Sequence, residues 1–156
     1  MLQLTGQAQD DTETKAQLVA LLNDQQAFAK FREWIAAQHG DLRSVDDPGL
    51  LPAARFQRAI PAPRSGYIAG VNAREVGLTS MLLGGGRARK GDQIDHAVGI
   101  TLHAKAGDRV VEGQPLLTIH ANDEGKLAGA RQRLLSAYEW SDEQVGPPPL
   151  LHQTVG

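Results

Sequence analysis

The chain has 156 residues, 41% of them apolar, and a formal net charge of −2 at pH 7. This length corresponds to one domain, or to a small domain with an appendage, and allows a substantial buried core. The charge offers no basic field for nucleic acid or an anionic membrane, and the lack of cysteine excludes disulfides, a thiol nucleophile and thiolate metal sites.

Residues 1–40 are predicted to form two helices. The first begins at favourable capping residues and carries an apolar stripe, and the second begins near Asn23 or Asp24 and ends at Gly40, a plausible left-handed stop. For the first helix the capping residues are Asp10, Asp11 and Thr12 and the apolar stripe is Ala16, Val19 and Leu22. For the second helix the stripe is Phe28, Phe31, Trp34 and Ile35. Because two short helices cannot bury these rings by themselves, we expect the segment to pack against further structure.

Residues 41–65 are predicted to be extended, since they contain four prolines. Arg55 to Ile60 is the expected edge strand. We place a domain boundary between about Gly40 and Pro52, with a linker over 41–60 and an α+β domain over 61–140.

Residues 66–140 are predicted to mix strands and helices. The expected strands are 67–71, 98–103, Val110 and 116–119; the expected helices are 73–83, opened by Asn72 with Glu75, and a last one capped by Asn122 that runs through Tyr138. The tail, 141–156, is expected to be poorly ordered.

Gly84-Gly85-Gly86-Arg87, with Arg89 and Lys90, superficially matches a phosphate-binding loop. Such loops precede a helix, whose N-terminal N–H groups face the anion, whereas these glycines follow one. We therefore interpret them as a helix end and loop.

The histidines and acidic pairs do not indicate a catalytic or metal site. The five histidines are His39, His96, His103, His120 and His152, and the pairs are Asp46-Asp47, Asp123-Glu124 and Asp142-Glu143. No two histidines have the i, i+4 spacing of a helical zinc pair, although His103 and His120 could lie close together at strand ends. Adjacent carboxylates on extended chain point apart, and Asp123-Glu124 suits a helix start.

The pieces 61–67 and 107–116 resemble the two opening strands of the barrel-sandwich module of biotin and lipoyl carriers, and the piece 119–123 ends in Asn-Asp where a biotin carrier would have its modified lysine. About 35 residues separate Val71 from Gly107, and the position of the modified lysine holds Asp123. A swinging-arm carrier is therefore disfavoured, and it would require added mass on a lysine.

Six motifs together resemble the C-terminal portion of the pyrimidine-nucleoside phosphorylases, the group that includes thymidine phosphorylase. They cover about residues 12–138: Phe28-Ala29-Lys30-Phe31-Arg32-Glu33-Trp34-Ile35, Ala62-Pro63-Arg64-Ser65-Gly66-Tyr67, Ala73-Arg74-Glu75-Val76-Gly77-Leu78, Leu83-Gly84-Gly85-Gly86-Arg87, Ile94-Asp95-His96-Ala97-Val98-Gly99-Ile100, and 107–123. One departure is His39, where the family leads us to expect Gly.

The resemblance implies an α+β fold with a β-hammerhead, related to barrel-sandwich hybrids, preceded by two helices of the preceding domain. It implies a complete enzyme that cleaves thymidine- or uridine-type nucleosides with phosphate as co-substrate, giving free base and pentose 1-phosphate. The family's Lys-His-Ser-Thr-Gly-Gly phosphate loop and base-binding residues are not found in this sequence. We therefore assign no catalytic, substrate-binding, phosphate-binding or metal residue, and no cofactor, to this chain.

The leading hypothesis is a structural portion of that enzyme, inactive alone, whose partners are the family's N-terminal helical and α/β domains in a homodimer. We expect no nucleic-acid or membrane partner. Met1 to Thr5 show no basic region followed by an apolar stretch, so no secretion signal is visible, and we expect a cytoplasmic protein. The alternative is a stand-alone hammerhead interaction module without catalysis.

Overall fold

The structure is a computed structural model that describes residues 1–149 and 153. These residues form two compact units: a helical unit, Met1–Leu51, and a sheet unit, Pro52–Gly156. Helices come first and small antiparallel sheets follow, so the predicted α+β class is confirmed. The predicted limits of the linker, the domain and the tail stay predictions, and residues 150–152 and 154–156 of that tail lie outside the described residues.

The helical unit contains both predicted helices, α1 (Asp11–Asn23) and α2 (Gln26–Ala37), then a short α3 (Leu42–Asp46) and a 3-10 turn over Pro48–Leu50. The prediction of extended chain from residue 41 is therefore wrong for this stretch, because Asp41 caps α3 by accepting from the Arg43 amide at 3.0 Å and the first proline lies beyond the end of that helix. The Asp10 carboxylate caps α1 by accepting a hydrogen bond from the Glu13 amide at 2.8 Å.

The left-handed stop after α2 lies at His39, so its predicted position at Gly40 is wrong. His39 has the positive φ, 58°, whereas Gly40 is not among the positive-φ glycines. Gly40 serves a different purpose, because a Cβ there would lie 2.6 Å from the Ile35 side chain. A left-handed residue at 39 explains why Gly is expected there from the family, since glycine adopts this conformation without steric cost.

The helical unit has almost no interior of its own. All 51 of its residues are described, and Ala8 is the single buried one. Neither α1 nor α2 buries any residue, and the rings of Phe28, Phe31 and Trp34 are 41%, 42% and 59% exposed. The apolar stripe predicted from the sequence therefore exists but has nothing within this unit to cover it.

The sheet unit contains two three-stranded antiparallel sheets. The first has the order β1-β5-β3, from strands β1 (Phe56–Pro61), β5 (Pro115–Ala121) and β3 (Gly99–Leu102). The predicted edge strand near Arg55–Ile60 is confirmed as β1, with Phe56 opposite Ala121 and Ile60 opposite Leu117.

The second sheet has the order β4-β2-β6, from strands β4 (Arg109–Val110), β2 (Gly66–Val71) and β6 (Tyr138–Ser141). The sequence prediction for its last strand is wrong. The spacing predicts Tyr138 on the last helix, but the helix ends at Ser136 and the chain turns into β6 beside β2. Aromatic residues in Tyr138-Glu139-Trp140 favour a strand, and this preference prevails over the helical spacing.

Two helices pack on these sheets, α4 (Ala73–Ser80), which continues through a single π-helical turn over Met81–Gly85, and α5 (Glu124–Ser136). The core they share with the strands is aliphatic, and its fully buried members include Ile68, Val110, Leu116, Leu117, Ile119 and Leu134. At roughly 1.5–3 kcal/mol for each buried aliphatic side chain, this cluster accounts for the compactness of the unit.

Helices α4 and α5 are also joined by an ion pair. The Arg133 Nε donates to Glu75 Oε1 at 2.6 Å. The predicted capping box at the start of α4 is therefore only half formed: the Asn72 side chain accepts from the Glu75 amide at 3.1 Å, but the Glu75 carboxylate turns to Arg133.

Candidate functional site

One polar cluster that joins distant parts of the sheet unit centres on Asn122. Its Oδ1 accepts from the Arg55 amide at 2.7 Å, and its Nδ2 donates to Asp95 Oδ2 at 2.7 Å. The sequence predicts Asn122 as the cap of α5, but the cap is Asp123, which accepts from the Lys126 amide at 2.7 Å. The prediction is wrong by one residue. Asn and Asp are both favourable capping residues, but the Asn122 side chain is already hydrogen-bonded to Arg55 and Asp95, so Asp123 caps the helix.

Asp95 is held on both of its carboxylate oxygens. Its Oδ1 accepts from the Ala97 amide at 3.0 Å and its Oδ2 from Asn122. These hydrogen bonds, the Ala97 amide first, lower the pKa of the Asp95 carboxyl from its ordinary value, because they stabilise the charged form. The Asp95 amide in turn donates to the Gly84 carbonyl at 2.9 Å. The cluster thus ties β1, the 95–98 loop, the end of α4 and the start of α5 together at one place.

The glycine run lies where the sequence predicts, at the end of a helix. Gly84 has φ = 118°, a conformation that suits glycine, and the chain leaves the helix at Gly86. Beyond it, the amides of Ala88 and Arg89 donate to the Asp92 carboxylate at 3.1 and 2.8 Å. An internal carboxylate therefore occupies the two amides that could otherwise face an anion.

His120 lies near the end of β5 and His103 directly follows β3, so both lie near strand ends as the sequence suggests, but each bonds to a threonine. His103 Nε2 is 2.7 Å from Thr118 Oγ1, and His120 Nε2 is 3.1 Å from Thr101 Oγ1. Thr101 and Thr118 are directly opposed on β3 and β5, so the four side chains form a polar strip on one face of the first sheet. His152 lies outside the described residues.

The acidic pairs are distributed among caps and ion pairs. Asp46 pairs with Arg32, and Asp47 accepts from the Gly49 amide at 2.9 Å. Asp123 caps α5, with Glu124 in its first turn. Asp142 pairs with Arg64, whose guanidinium also lies 5.8 Å from the Trp140 ring centroid. The described contacts of these carboxylates are therefore a turn, a helix cap and ion pairs between elements.

Tyr138 is the buried polar residue that sequence reasoning places wrongly. Its hydroxyl donates to the Ala104 carbonyl at 3.2 Å, and burial raises the pKa of its phenol to about 12. The signal available in the sequence was the triplet Tyr138-Glu139-Trp140, whose aromatic residues favour a strand. Here the phenol connects β6 to the chain after β3.

Among residues 1–149 and 153, no group of three or more His, Asp or Glu side chains could hold a metal ion. Within the same part of the chain, no helix combines the length and apolar character needed to cross a membrane.

The sheet unit is an α+β domain that follows a helical segment in the chain. It consists of two small antiparallel sheets and two helices packed on them, and the polar groups described above make internal contacts. Comparison with known proteins adds its family. The family model described as pyrimidine nucleoside phosphorylase C-terminal domain matches residues 67–141. These residues cover the sheet unit from β2 to the end of β6. The resemblance to a C-terminal portion of the pyrimidine-nucleoside phosphorylases, predicted from the sequence, is confirmed.

Curated relatives extend the similarity through the helical unit. A pyrimidine-nucleoside phosphorylase of Bacillus subtilis (strain 168) is 43% identical over 124 residues, which make up 80% of this chain and 29% of the relative. One of Staphylococcus aureus (strain USA300) is 38% identical over 155 residues, 99% of this chain and 35% of the relative. The chain thus spans about a third of the length of these relatives.

Proposed function

We propose that this chain is the structural C-terminal portion of a pyrimidine-nucleoside phosphorylase and that it is inactive alone. The complete enzyme would cleave thymidine- or uridine-type nucleosides with phosphate, giving free base and pentose 1-phosphate. In this proposal the sheet unit is the family's β-hammerhead, related to barrel-sandwich hybrids. Its role is to brace the part of the enzyme that binds both substrates.

The observation that carries the proposal is the uncovered apolar face of the helical unit. The rings of Phe31 and Trp34 lie 6.1 Å apart on α2 and are about half exposed, in a unit that buries only Ala8. Exposed apolar patches of this kind mark contacts with other protein surfaces. The preceding helical and α/β domains are the partner that the length of the relatives suggests.

The alternative is a stand-alone hammerhead module, and it predicts the opposite exposure for the same rings. An independent module should bury these rings within one molecule, whereas their exposure favours a part of a larger assembly. The complete assembly is proposed to be a homodimer.

Reconstitution tests the proposal directly. The chain is mixed with the region of the Bacillus subtilis relative that precedes its matching segment, and phosphorolysis of thymidine and of uridine is followed by release of free base. We expect turnover with the mixture and none with either part. Clear turnover by the chain alone would refute the claim that it is inactive.

A matched pair of variants locates the contact. Phe31→Asp places a charge on the apolar face of α2, whereas Lys30→Asp places it next to that face, at an exposed residue that pairs with Glu33. Phe31→Asp should abolish reconstitution and reduce self-association seen by light scattering, and Lys30→Asp should do neither. If the unmodified chain stays monomeric at all concentrations and does not reconstitute activity, the stand-alone module is favoured.

A further inference from the structure

The sheet unit contains an apolar cavity that the proposed function does not use. Its volume is about 580 Å³, within the range of small-molecule sites. Its walls come from the end of β2, the start of α4, the end of β3, the turn that follows, and two prolines beyond β6: Val71, Ala73, Val76, Leu102, Lys105, Ala106, Pro147 and Pro148.

The wall formed by Pro147 and Pro148 lies in close contact with the backbone of the turn at Gly107. Gly107 has φ = 97°, and a Cβ added to it would lie 2.8 Å from the Pro147 nitrogen. Only glycine allows Pro147 to approach the turn this closely. On the opposite side, Val71, Val76 and Leu102 pack against the buried core, so the floor of the cavity is continuous with the interior.

Two backbone amides of the turn beside the cavity donate to internal acceptors. The Lys105 amide donates to the Asp108 carboxylate at 2.8 Å, and the Gly107 amide donates to the Ile68 carbonyl at 2.8 Å. Within the described part of the chain, the Lys105 ammonium makes no ion pair. The cavity therefore presents aliphatic walls and a single positive charge.

We propose that this cavity binds a small apolar carboxylic acid, with the hydrocarbon body between Val76, Leu102 and Pro148 and the carboxylate at Lys105. Burial of apolar surface provides the affinity. The ammonium selects an acid over a neutral or cationic ligand of the same shape, since opposite charges attract and like charges disfavour a wrong partner.

The probe is decanoate, with decan-1-ol as the neutral equivalent, titrated into the complete chain by calorimetry. Chemical-shift changes in the amide resonances of Val76, Leu102 and Ala106 locate the bound molecule. We expect decanoate to bind at these residues and to bind several-fold more tightly than decan-1-ol.

Two pairs of variants separate charge from shape. Lys105→Met should weaken decanoate binding about fourfold, which is the contribution of a partly exposed ion pair, and should leave decan-1-ol binding unchanged. The control Lys90→Met removes a lysine that does not line the cavity, and it should change the binding of neither probe. Ala73→Phe fills the cavity and should abolish binding of both probes, whereas Arg74→Phe on the next residue of α4 should not.

Equal affinity for the two probes, no effect of Lys105→Met, or no binding at all would each overturn the proposal. Binding that appears only in a chain shortened to end at Pro149 would also overturn it, because the chain's own last residues would then be the occupant. None of these readouts depends on phosphorolysis, so failure here leaves the proposed function in place.

Discussion

Asn122 and Asp95, 27 positions apart in the chain, are joined by a 2.7 Å hydrogen bond from Nδ2 to Oδ2, and the same Asn122 side chain accepts from the Arg55 amide. One amide group therefore connects the start of β1, the loop before β3 and the start of α5. A carboxamide carries its acceptor and its donor on two separate atoms, so neither an ionised Asp nor Leu could replace it.

Asn122→Ala tests this connection. The substitution removes the partner of the Arg55 amide and one partner of Asp95; because both hydrogen bonds are exposed to solvent, we expect each to be worth about 0.5 kcal/mol and the pair about 1 kcal/mol. We expect the melting temperature of the sheet unit to fall by roughly 4–8 °C, as this free energy implies for a unit of this size.

The control for Asn122→Ala is Gln132→Ala, which shortens an exposed carboxamide side chain on α5. Surface substitutions of this kind usually change the free energy of unfolding by less than about 0.5 kcal/mol in either direction. A loss for Asn122→Ala no larger than that for Gln132→Ala would contradict the role given to Asn122.

Asp95 should make stability depend on pH at the acid end. Its pKa is lowered from the ordinary 3.8, chiefly by the Ala97 amide and then by Asn122. A carboxyl whose pKa is lower in the folded state stabilises the fold above the unfolded pKa, and this contribution is lost as pH falls through the folded pKa. The stability difference between the wild type and Asp95→Asn should therefore be largest near neutral pH and narrow below about pH 4.

Chemical denaturation followed at several pH values measures this difference. In Asn122→Ala the pH dependence should be weaker but still present, because the Ala97 amide remains bonded to Asp95. A difference between wild type and Asp95→Asn that stays constant from pH 7 to the acid limb would exclude the titration of Asp95 as its cause.

Glu75 and Arg133 should couple the two helices of the sheet unit. Their side chains are 29% and 41% exposed, so solvent screens the pair, and we expect a coupling free energy of about 0.5–1 kcal/mol. A double-mutant cycle with Glu75→Gln and Arg133→Met measures it. The coupling should shrink toward zero in about 1 M salt, where the screening length is about 3 Å; a coupling insensitive to salt would point to packing instead of charge.

The sequence predicted α1, α2, α4 and α5, the edge strand β1 and the family because these depend on local periodicity and on motifs that stand in order along the chain. It did not predict β6, since Tyr138 continues the apolar spacing of α5 and only the open edge of β2 makes a strand favourable there. The contacts of Asn122 were beyond sequence reasoning for a related reason. Its partners Arg55 and Asp95 lie 67 and 27 positions away, and capping rules consider only neighbours.

Tyr138 should limit stability at alkaline pH. Burial raises the pKa of its phenol to about 12, above the ordinary 10.0. A group whose pKa is raised in the folded state stabilises the fold fully below the unfolded pKa, and this contribution is lost as pH rises through the folded pKa. The free energy of unfolding of the wild type should therefore decline between about pH 10 and 12.

Tyr138→Phe removes the ionisable group and should flatten that decline. At neutral pH it should cost about 1 kcal/mol, because the Ala104 carbonyl loses the hydroxyl that donates to it at 3.2 Å. Urea denaturation at neutral and alkaline pH measures both effects, and Tyr67→Phe, on β2, is the matched control that should keep the alkaline decline. If the free energy of unfolding of Tyr138→Phe falls between pH 10 and 12 as steeply as that of the wild type, ionisation of the Tyr138 phenol does not cause the alkaline loss of stability.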